Sequence, residues 1–295
     1  MALSHERKTV LVTGGAGFIG SHLCEALVSR ANVICVDNFS TGSPASLQGL
    51  VQHPHFELIR HDIHEPLVLE DIHELERFHV RVHGIQEIYH LACPTSKSHA
   101  DRYRLAVLET NSLGVKNMME LAVRHRAKVV FASTSSVFEP SADPFISEDA
   151  RCWSEHLADE AAYVESKRFA ETLVHTYGLI HQLPVKIVRI FRTYGPRMQT
   201  DEGYLLPELV EAVLAQQDYE LPYSEDARLS LCYVKDMVDG LVRAMEHSLE
   251  FRVLNLGSDQ EVRLGTVVDR LLQLTGSTAR IRFAAHGARQ VAPVP

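Results

Sequence analysis

Two periods of hydrophobic pattern take turns along this chain. Short apolar and β-branched runs read as strands buried on both faces: "VLVT" (10–13), "ANVICVDN" with Asp37 at its end, "FELIR" (56–60), "EIYHLA" (87–92), "KVVFAST" (128–134) and "VKIVRIF" (185–191). Between them apolar residues recur at helical spacing. Phe18, Ile19, Leu23, Ala26 and Leu27 form one such stripe; "NSLGVKNMMELAVRHR" (111–126) and "DEAAYVESKRFAETLVHTYG" (159–178) carry others. Strand and helix in alternation predict an α/β fold, a doubly wound parallel sheet with helices on both faces. The rhythm breaks over 192–225, where Gly, Pro and Tyr sit in loops around one helix. Residues 1–191, with 226–258 returning to them, are therefore expected to form the sheet domain. Residues 192–225 and 259–295 are expected to form a small substrate-binding region over the sheet's carboxyl edge.

Composition narrows the picture by exclusion. The apolar fraction of 45% suits a sizeable core, and no apolar run is long enough for a membrane span. The net charge of -9 argues against a nucleic-acid partner, which needs a basic face, but leaves room for a small anionic ligand. Five scattered cysteines without a CxxC pair fit a reducing compartment; with a charged start in place of a signal-peptide pattern, they lead us to expect a cytoplasmic protein. The 17 histidines show no metal-ligand spacing such as HExxH, so no metal is expected.

The stretch "TGGAGFIG" places Gly14, Gly17 and Gly20 between the first strand and the first helix. The first glycine allows a tight turn, the second lets the backbone approach a pyrophosphate, and the third lets helix and strand pack closely. Phe18 and Ile19 begin the helix, whose amino end favours an anion. Asp37, at the end of the second strand, stands where a carboxylate meets adenosine ribose hydroxyls. Its charge repels a 2′-phosphate, which points to NAD over NADP. Tyr163 and Lys167 in "YVESK" are four residues apart and share a helix face. A phenol is a poor base at neutral pH, and a neighbouring ammonium is expected to lower its pKa. Tyr163 then takes a proton from a substrate hydroxyl, with Thr134 of "ASTSS" bonding the reacting oxygen; Ser135 reads as a turn residue.

Together these residues resemble the extended short-chain dehydrogenase/reductases of Rossmann fold, specifically the NAD-dependent epimerase/dehydratase family. The likeness runs from about Val10 to Ser258. Within that family "TGGAGFIGSHL", "VDNFSTG", "FELIRHDIHEPL", "IYHLACPTS", "RIFRTYGPRM" and "YVKDMVDGL" are most similar to UDP-glucuronate decarboxylases. The resemblance implies that Asn38 joins Asp37 at the ribose, that Asp62 and Ile63 meet the adenine, and that Leu91 and Ala92 pass beneath the cofactor. It makes Cys93 a small packing residue rather than a nucleophile. It makes Asn111 the asparagine that starts the helix after the fourth strand, and Lys167 the residue that holds the nicotinamide ribose. It also implies a homodimer formed through a helix bundle near 111–126 and 159–177.

The substrate side departs from that pattern. "STSSVFE" has Ser136 where the decarboxylases carry an acid, and resembles the "SSSSVYG" of sugar-nucleotide 4-epimerases. "RIFRTYG" has Arg192 where they carry asparagine. "SEDARLSL" puts Leu229 at an expected arginine, with Arg228 beside it. About a dozen extra residues separate "HEPL" from "EIYHLA", and Pro295 falls before the usual family end. Ser136, Arg192, Tyr223 and Arg228 are the expected substrate-binding residues. The implied activity is NAD-dependent modification of a UDP-sugar through a 4-keto intermediate, as in a decarboxylase. A 4-epimerase, a dehydrogenase or reductase on another substrate, and a non-catalytic nucleotide-binding protein are the alternatives.

Overall fold

The computed structural model describes residues 7–95, 100–139, 145–158, 161–247 and 252–284. Seven parallel strands form the central sheet: β1 (Thr9–Thr13), β2 (Asn32–Asp37), β3 (Phe56–Arg60), β4 (Glu87–His90), β5 (Lys128–Thr134), β6 (Val185–Ile190) and, later in the chain, β11 (Val253–Leu256). Their spatial order is β11-β6-β5-β4-β1-β2-β3. The order reverses between β1 and β4, and a doubly wound sheet opens its ligand crevice at that point.

Helices cover both faces. On one side α1 (Phe18–Leu27) and α7 (Val234–Glu246) share a core with β1 and β2 that includes Val10, Leu23, Val33, Met237 and Leu241. On the other, α2 (Val80–His83), α4 (Val115–His125) and α5 (Ala161–His181) close over Leu11, Ile34, Ile88 and Phe131. The extra residues before β4 fold as two 3₁₀ turns followed by α2. They bury Leu69, Leu75, Phe78 and Val80 in this second layer, so they extend the core rather than loop into solvent.

The helix expected to start at Asn111 starts earlier. A helical run begins with α3 (Ala100–Glu109), passes through a π-turn at Thr110–Gly114 and continues as α4. Asn111 therefore lies in the middle of this run. The π-turn rotates its side chain into the core, where Asn111 is 0% exposed.

A smaller unit sits beyond β6. It contains β7 (Thr193–Tyr194), α6 (Leu205–Leu214), β8 (Tyr219–Leu221), β9 (Arg228–Ser230), β10 (Cys232–Tyr233), β12 (Glu261–Arg263), α8 (Leu264–Thr275) and β13 (Ile281–Phe283). Leu209, Val213, Leu221, Leu229, Leu264 and Val268 form its core. Leu229 belongs to this cluster, whereas Cys232 and Val234 pack in the large core. No helix among the described residues is long and apolar enough to cross a membrane.

Candidate active site

The crevice between β1 and β4 begins with backbone. Gly14 has φ +70, and a Cβ there would lie 2.7 Å from the Ala92 backbone nitrogen. A Cβ on Gly20 would overlap the Gly14 carbonyl oxygen, so side chains are excluded where turn and helix meet. Gly17 caps α1 without a side-chain hydrogen bond, and the first turn holds no acid. The amides around Phe18 and Ile19 thus face no competing protein anion, an arrangement that suits a pyrophosphate.

Asp37 does more than its place at the end of β2 indicated. One carboxylate oxygen accepts from the Ala16 amide (2.9 Å) and the other from the Phe39 amide (2.8 Å). It therefore fastens the glycine turn as well as presenting an acceptor. Burial raises its pKa, and the two amides oppose that shift in part. Asn38 donates to Asp62 (2.9 Å), which also accepts from the His64 amide (3.0 Å). Burial pushes the Asp62 carboxyl up, but these bonds outweigh it and hold it below the usual range. Ile63 is buried against Gly114, and its carbonyl accepts from Asn117 (2.9 Å). The π-turn and α4 thereby set the 61–65 loop. Leu91 and Ala92 leave β4 held by Thr13, with amides donating to its carbonyl (3.1 Å) and hydroxyl (3.4 Å).

Asn111 donates to Ser166 Oγ (3.0 Å) and Cys93 Sγ (3.2 Å), while its own Oδ1 is buried without a partner among the described residues. Ser166 donates to the Tyr163 carbonyl (3.0 Å), which ties the π-turn to the turn of α5 that bears Tyr163. An uncapped helix start, a carboxylate at the end of β2 and an orphaned amide oxygen fit a dinucleotide such as NAD.

The catalytic candidates converge where β5 ends. The Tyr163 phenol lies beside Thr134. The Thr134 hydroxyl donates to Ser136 Oγ (3.2 Å) and accepts from the Ser136 amide (3.2 Å). Ser135 opens a 3₁₀ turn. Lys167 is buried, donates to the Ala132 carbonyl (2.8 Å) and lies 4.8 Å over the Phe131 ring. Burial lowers its pKa, against the pull of Cys93 and Glu171.

The expected depression of the Tyr163 pKa is not what the chain alone produces. Burial raises it, Cys93 and Tyr204 add to that, and only Thr134 lowers it. Lys167 directs its ammonium to a carbonyl and a ring, and it is not among the groups that shift Tyr163.

On the substrate side, β6 ends just before Arg192, whose carbonyl accepts from Cys232 N (2.9 Å). Its guanidinium is buried, which lowers its pKa, and Tyr223 is the neighbour that opposes the shift. Arg228 is not brought to this cluster. Its side chain is 60% exposed and faces Glu261 (3.6 Å) across the β9–β12 pair. Strand alternation explains this: Leu229 enters the small core, so Arg228 points outward.

The sequence reading missed three groups. Tyr204 lies near Tyr163 and donates to the Thr95 carbonyl (2.6 Å); nothing in the sequence marks it. Glu171 follows Lys167 by one helical turn, accepts from Ser133 (2.6 Å) and pairs with Arg189 (2.8 Å), and that spacing was a usable signal. His90 is buried beside Thr13 (2.6 Å), with its pKa lowered to about 3 by burial and by Lys167. Among the described residues no group of three or more His, Cys, Asp or Glu converges as a metal would need.

A family model described as "NAD dependent epimerase/dehydratase family" matches residues 10–257. The chain is 35% identical over 282 residues to UDP-glucuronic acid decarboxylase 3 of Arabidopsis thaliana, spanning 94% of this chain and 77% of that protein. Among solved structures, the UDP-glucuronic acid 4-epimerase of Bacillus cereus, in complex with UDP-glucuronic acid and NAD, is similar with a TM-score of 0.80 and 25% identity. That match covers 97% of this chain and 87% of the epimerase. The epimerase Mth375 of Methanothermobacter thermautotrophicus aligns with a TM-score of 0.82 at 22% identity, over 99% of this chain and 85% of the other, and supports the fold.

Proposed function

Because the chain belongs to the NAD dependent epimerase/dehydratase family, we propose that it converts UDP-glucuronate through a 4-keto sugar with loss of carbon dioxide. The observation that carries this reading is the placing of the Tyr163 phenol beside Thr134 at the end of β5, with Lys167 one turn along α5. NAD, when bound, supplies the hydride acceptor for carbon 4 and returns the hydride at the end.

Gly14, Gly17, Gly20, Phe18, Ile19, Asp37, Asn38, Asp62, Ile63, Leu91, Ala92, Asn111 and Lys167 would hold that cofactor. Tyr163 accepts the proton of the 4-hydroxyl, and Thr134 bonds the same oxygen and keeps it in line with the phenol. With carbon 4 a ketone, the neighbouring carboxylate is that of a β-keto acid. The bond to the carboxyl carbon breaks, its electron pair moves toward the ketone oxygen, and carbon dioxide leaves. General acid–base help of this kind is worth roughly 100- to 10,000-fold in rate. Ser136 and Tyr223 line the sugar side.

Ser136 also favours a second reading. With a hydroxyl in place of an acid at the 3₁₀ turn, the 4-keto sugar could turn over before hydride returns, which gives the 4-epimer. Incubation with NAD and UDP-glucuronate, followed by mass spectrometry, separates the two. A UDP-pentose with release of carbon dioxide supports decarboxylation. An isomer of unchanged mass supports epimerisation, and no conversion of any UDP-sugar in a panel refutes both.

We place the enzyme in the cytoplasm, in keeping with five free cysteines. We propose a homodimer through α3 and α5, where Leu105, Leu108, Phe169 and Ile180 are exposed.

A further inference from the structure

Several arginines near the carboxyl edge of the sheet and on the smaller unit pair with acids. Arg189 pairs with Glu171, Arg197 with Glu25, Arg228 with Glu261, and Arg263 with Asp226 and Glu225. Arg192 faces no carboxylate among the described residues, and its Nη1 is buried without a hydrogen-bond partner.

A guanidinium taken out of water and left unpaired destabilises the fold, because its lost hydration is not replaced. The backbone gives the side chain little freedom to escape. Arg192 lies two residues beyond β6, after the buried Phe191, and the Cys232 amide holds its carbonyl between β7 and β10. The side chain reaches toward Tyr223 of the smaller unit, so it spans the join between the sheet edge and that unit.

We infer that Arg192 is an anion-binding residue of the substrate cleft, and that a phosphate or carboxylate oxygen of the ligand completes its hydrogen bonds. The inference rests on the nucleotide-sugar reading for the identity of that ligand. An arriving anion meets a half-buried cation whose Nη1 is already out of contact with water. Its five donors suit a phosphate or a carboxylate equally. Substitution of Arg192 should therefore lower the affinity for anionic ligands.

The two roles open to Arg192 have opposite signatures. A structural arginine stabilises the fold and is indifferent to ligand. An anion-binding arginine costs stability and is needed for ligand. The test is Arg192→Met, with Arg192→Asn as a second variant that keeps a polar group. Melting temperature without ligand would be measured alongside calorimetric affinity for UDP, UDP-glucose, UDP-glucuronate and inorganic pyrophosphate.

Both variants should melt no lower than the parent, and affinity should fall roughly 10- to 100-fold, the worth of a charge-assisted hydrogen bond. Equal loss for all three uridine ligands assigns the anion as the diphosphate. Loss confined to UDP-glucuronate assigns it as the sugar carboxylate. If pyrophosphate binds in an Arg192-dependent manner while no uridine ligand binds the parent, the inference stands and the nucleotide-sugar reading fails. Unchanged affinity for every probe in a folded variant overturns the inference, as does a parent protein that binds none of the four.

Discussion

Glu171→Gln tests whether a buried ion pair holds the catalytic helix. Glu171 accepts from Ser133 Oγ (2.6 Å), Arg189 Nε (3.0 Å) and Arg189 Nη2 (2.8 Å), while Arg189 Nη1 donates to the Glu148 carbonyl (2.9 Å). The two side chains are 12% and 8% exposed. Burial pulls the Arg189 pKa down, and the bond and charge of Glu171 more than restore it. The pair is thus desolvated and fully bonded, and breaking one partner of such a pair costs about 3–5 kcal/mol, because the other is left charged and buried.

For a chain of this size that is a fall in melting temperature of roughly 6–20 °C, at about 2–4 °C per kcal/mol. Glu171→Leu combined with Arg189→Met removes both charges, and it should cost less than the sum of the single changes. Chemical denaturation gives the energies. Steady-state kinetics on the folded fraction gives a second reading. Ser133 precedes Thr134 and Glu171 follows Lys167 by one turn, so kcat should fall with NAD affinity nearly constant. A single-variant cost below about 1 kcal/mol, or a double variant as unstable as the sum, would refute the argument.

Tyr163→Phe keeps the ring packing and removes the proton acceptor; turnover should drop by at least about 100-fold while calorimetry finds NAD affinity nearly unchanged. Asp37→Ala should narrow the preference for NAD over NADP, and because Asp37 also holds the Ala16 and Phe39 amides it should weaken both cofactors in direct titration. His90 has a folded pKa of about 3 against an ordinary 6.5, so its contribution is fully present above pH 6.5 and lost as pH falls toward 3. Unfolding energy should decline by up to about 1.4 kcal/mol per pH unit across that window, and His90→Asn should flatten that part of the profile; an unchanged slope would exclude His90 as its source.

The strands were legible because burial on both faces leaves an unbroken apolar signature. The bounds read for 56–60 and 128–134 coincide with β3 and β5. The strand read to Ala92 stops at His90, because the chain bends there to follow Thr13. The start of the long helix was not legible. Leu105 and Leu108 are exposed on α3, which blurs its amphipathic stripe, and a π-turn shifts the period just where Asn111 enters the core. Among site residues, Tyr163, Lys167 and Thr134, read from spacing and strand context, lie together at the end of β5. Arg228 faces outward, as alternation with the buried Leu229 already indicated. Tyr204 comes from a distant loop, and only tertiary packing brings it near Tyr163.

The attachments of α5 explain how a divergent substrate half can coexist with an intact catalytic pair. Three residues on one face hold the helix. Ser166 accepts from Asn111 in the π-turn, Lys167 donates to Ala132 on β5, and Glu171 binds Ser133 on β5 and Arg189 on β6. These anchors fall at residues 166, 167 and 171, on the helical face that also carries Tyr163. All of them lead to the large sheet or the helices on it. None leads to the core of Leu209, Leu221, Leu229 and Leu264. Substitutions between 192 and 231 can therefore change the charge and shape presented to the sugar without moving Tyr163 relative to Thr134. A chain that exchanges an acid for Ser136 and an asparagine for Arg192 alters what the cleft attracts, while the geometry for removing a proton stays fixed by the sheet.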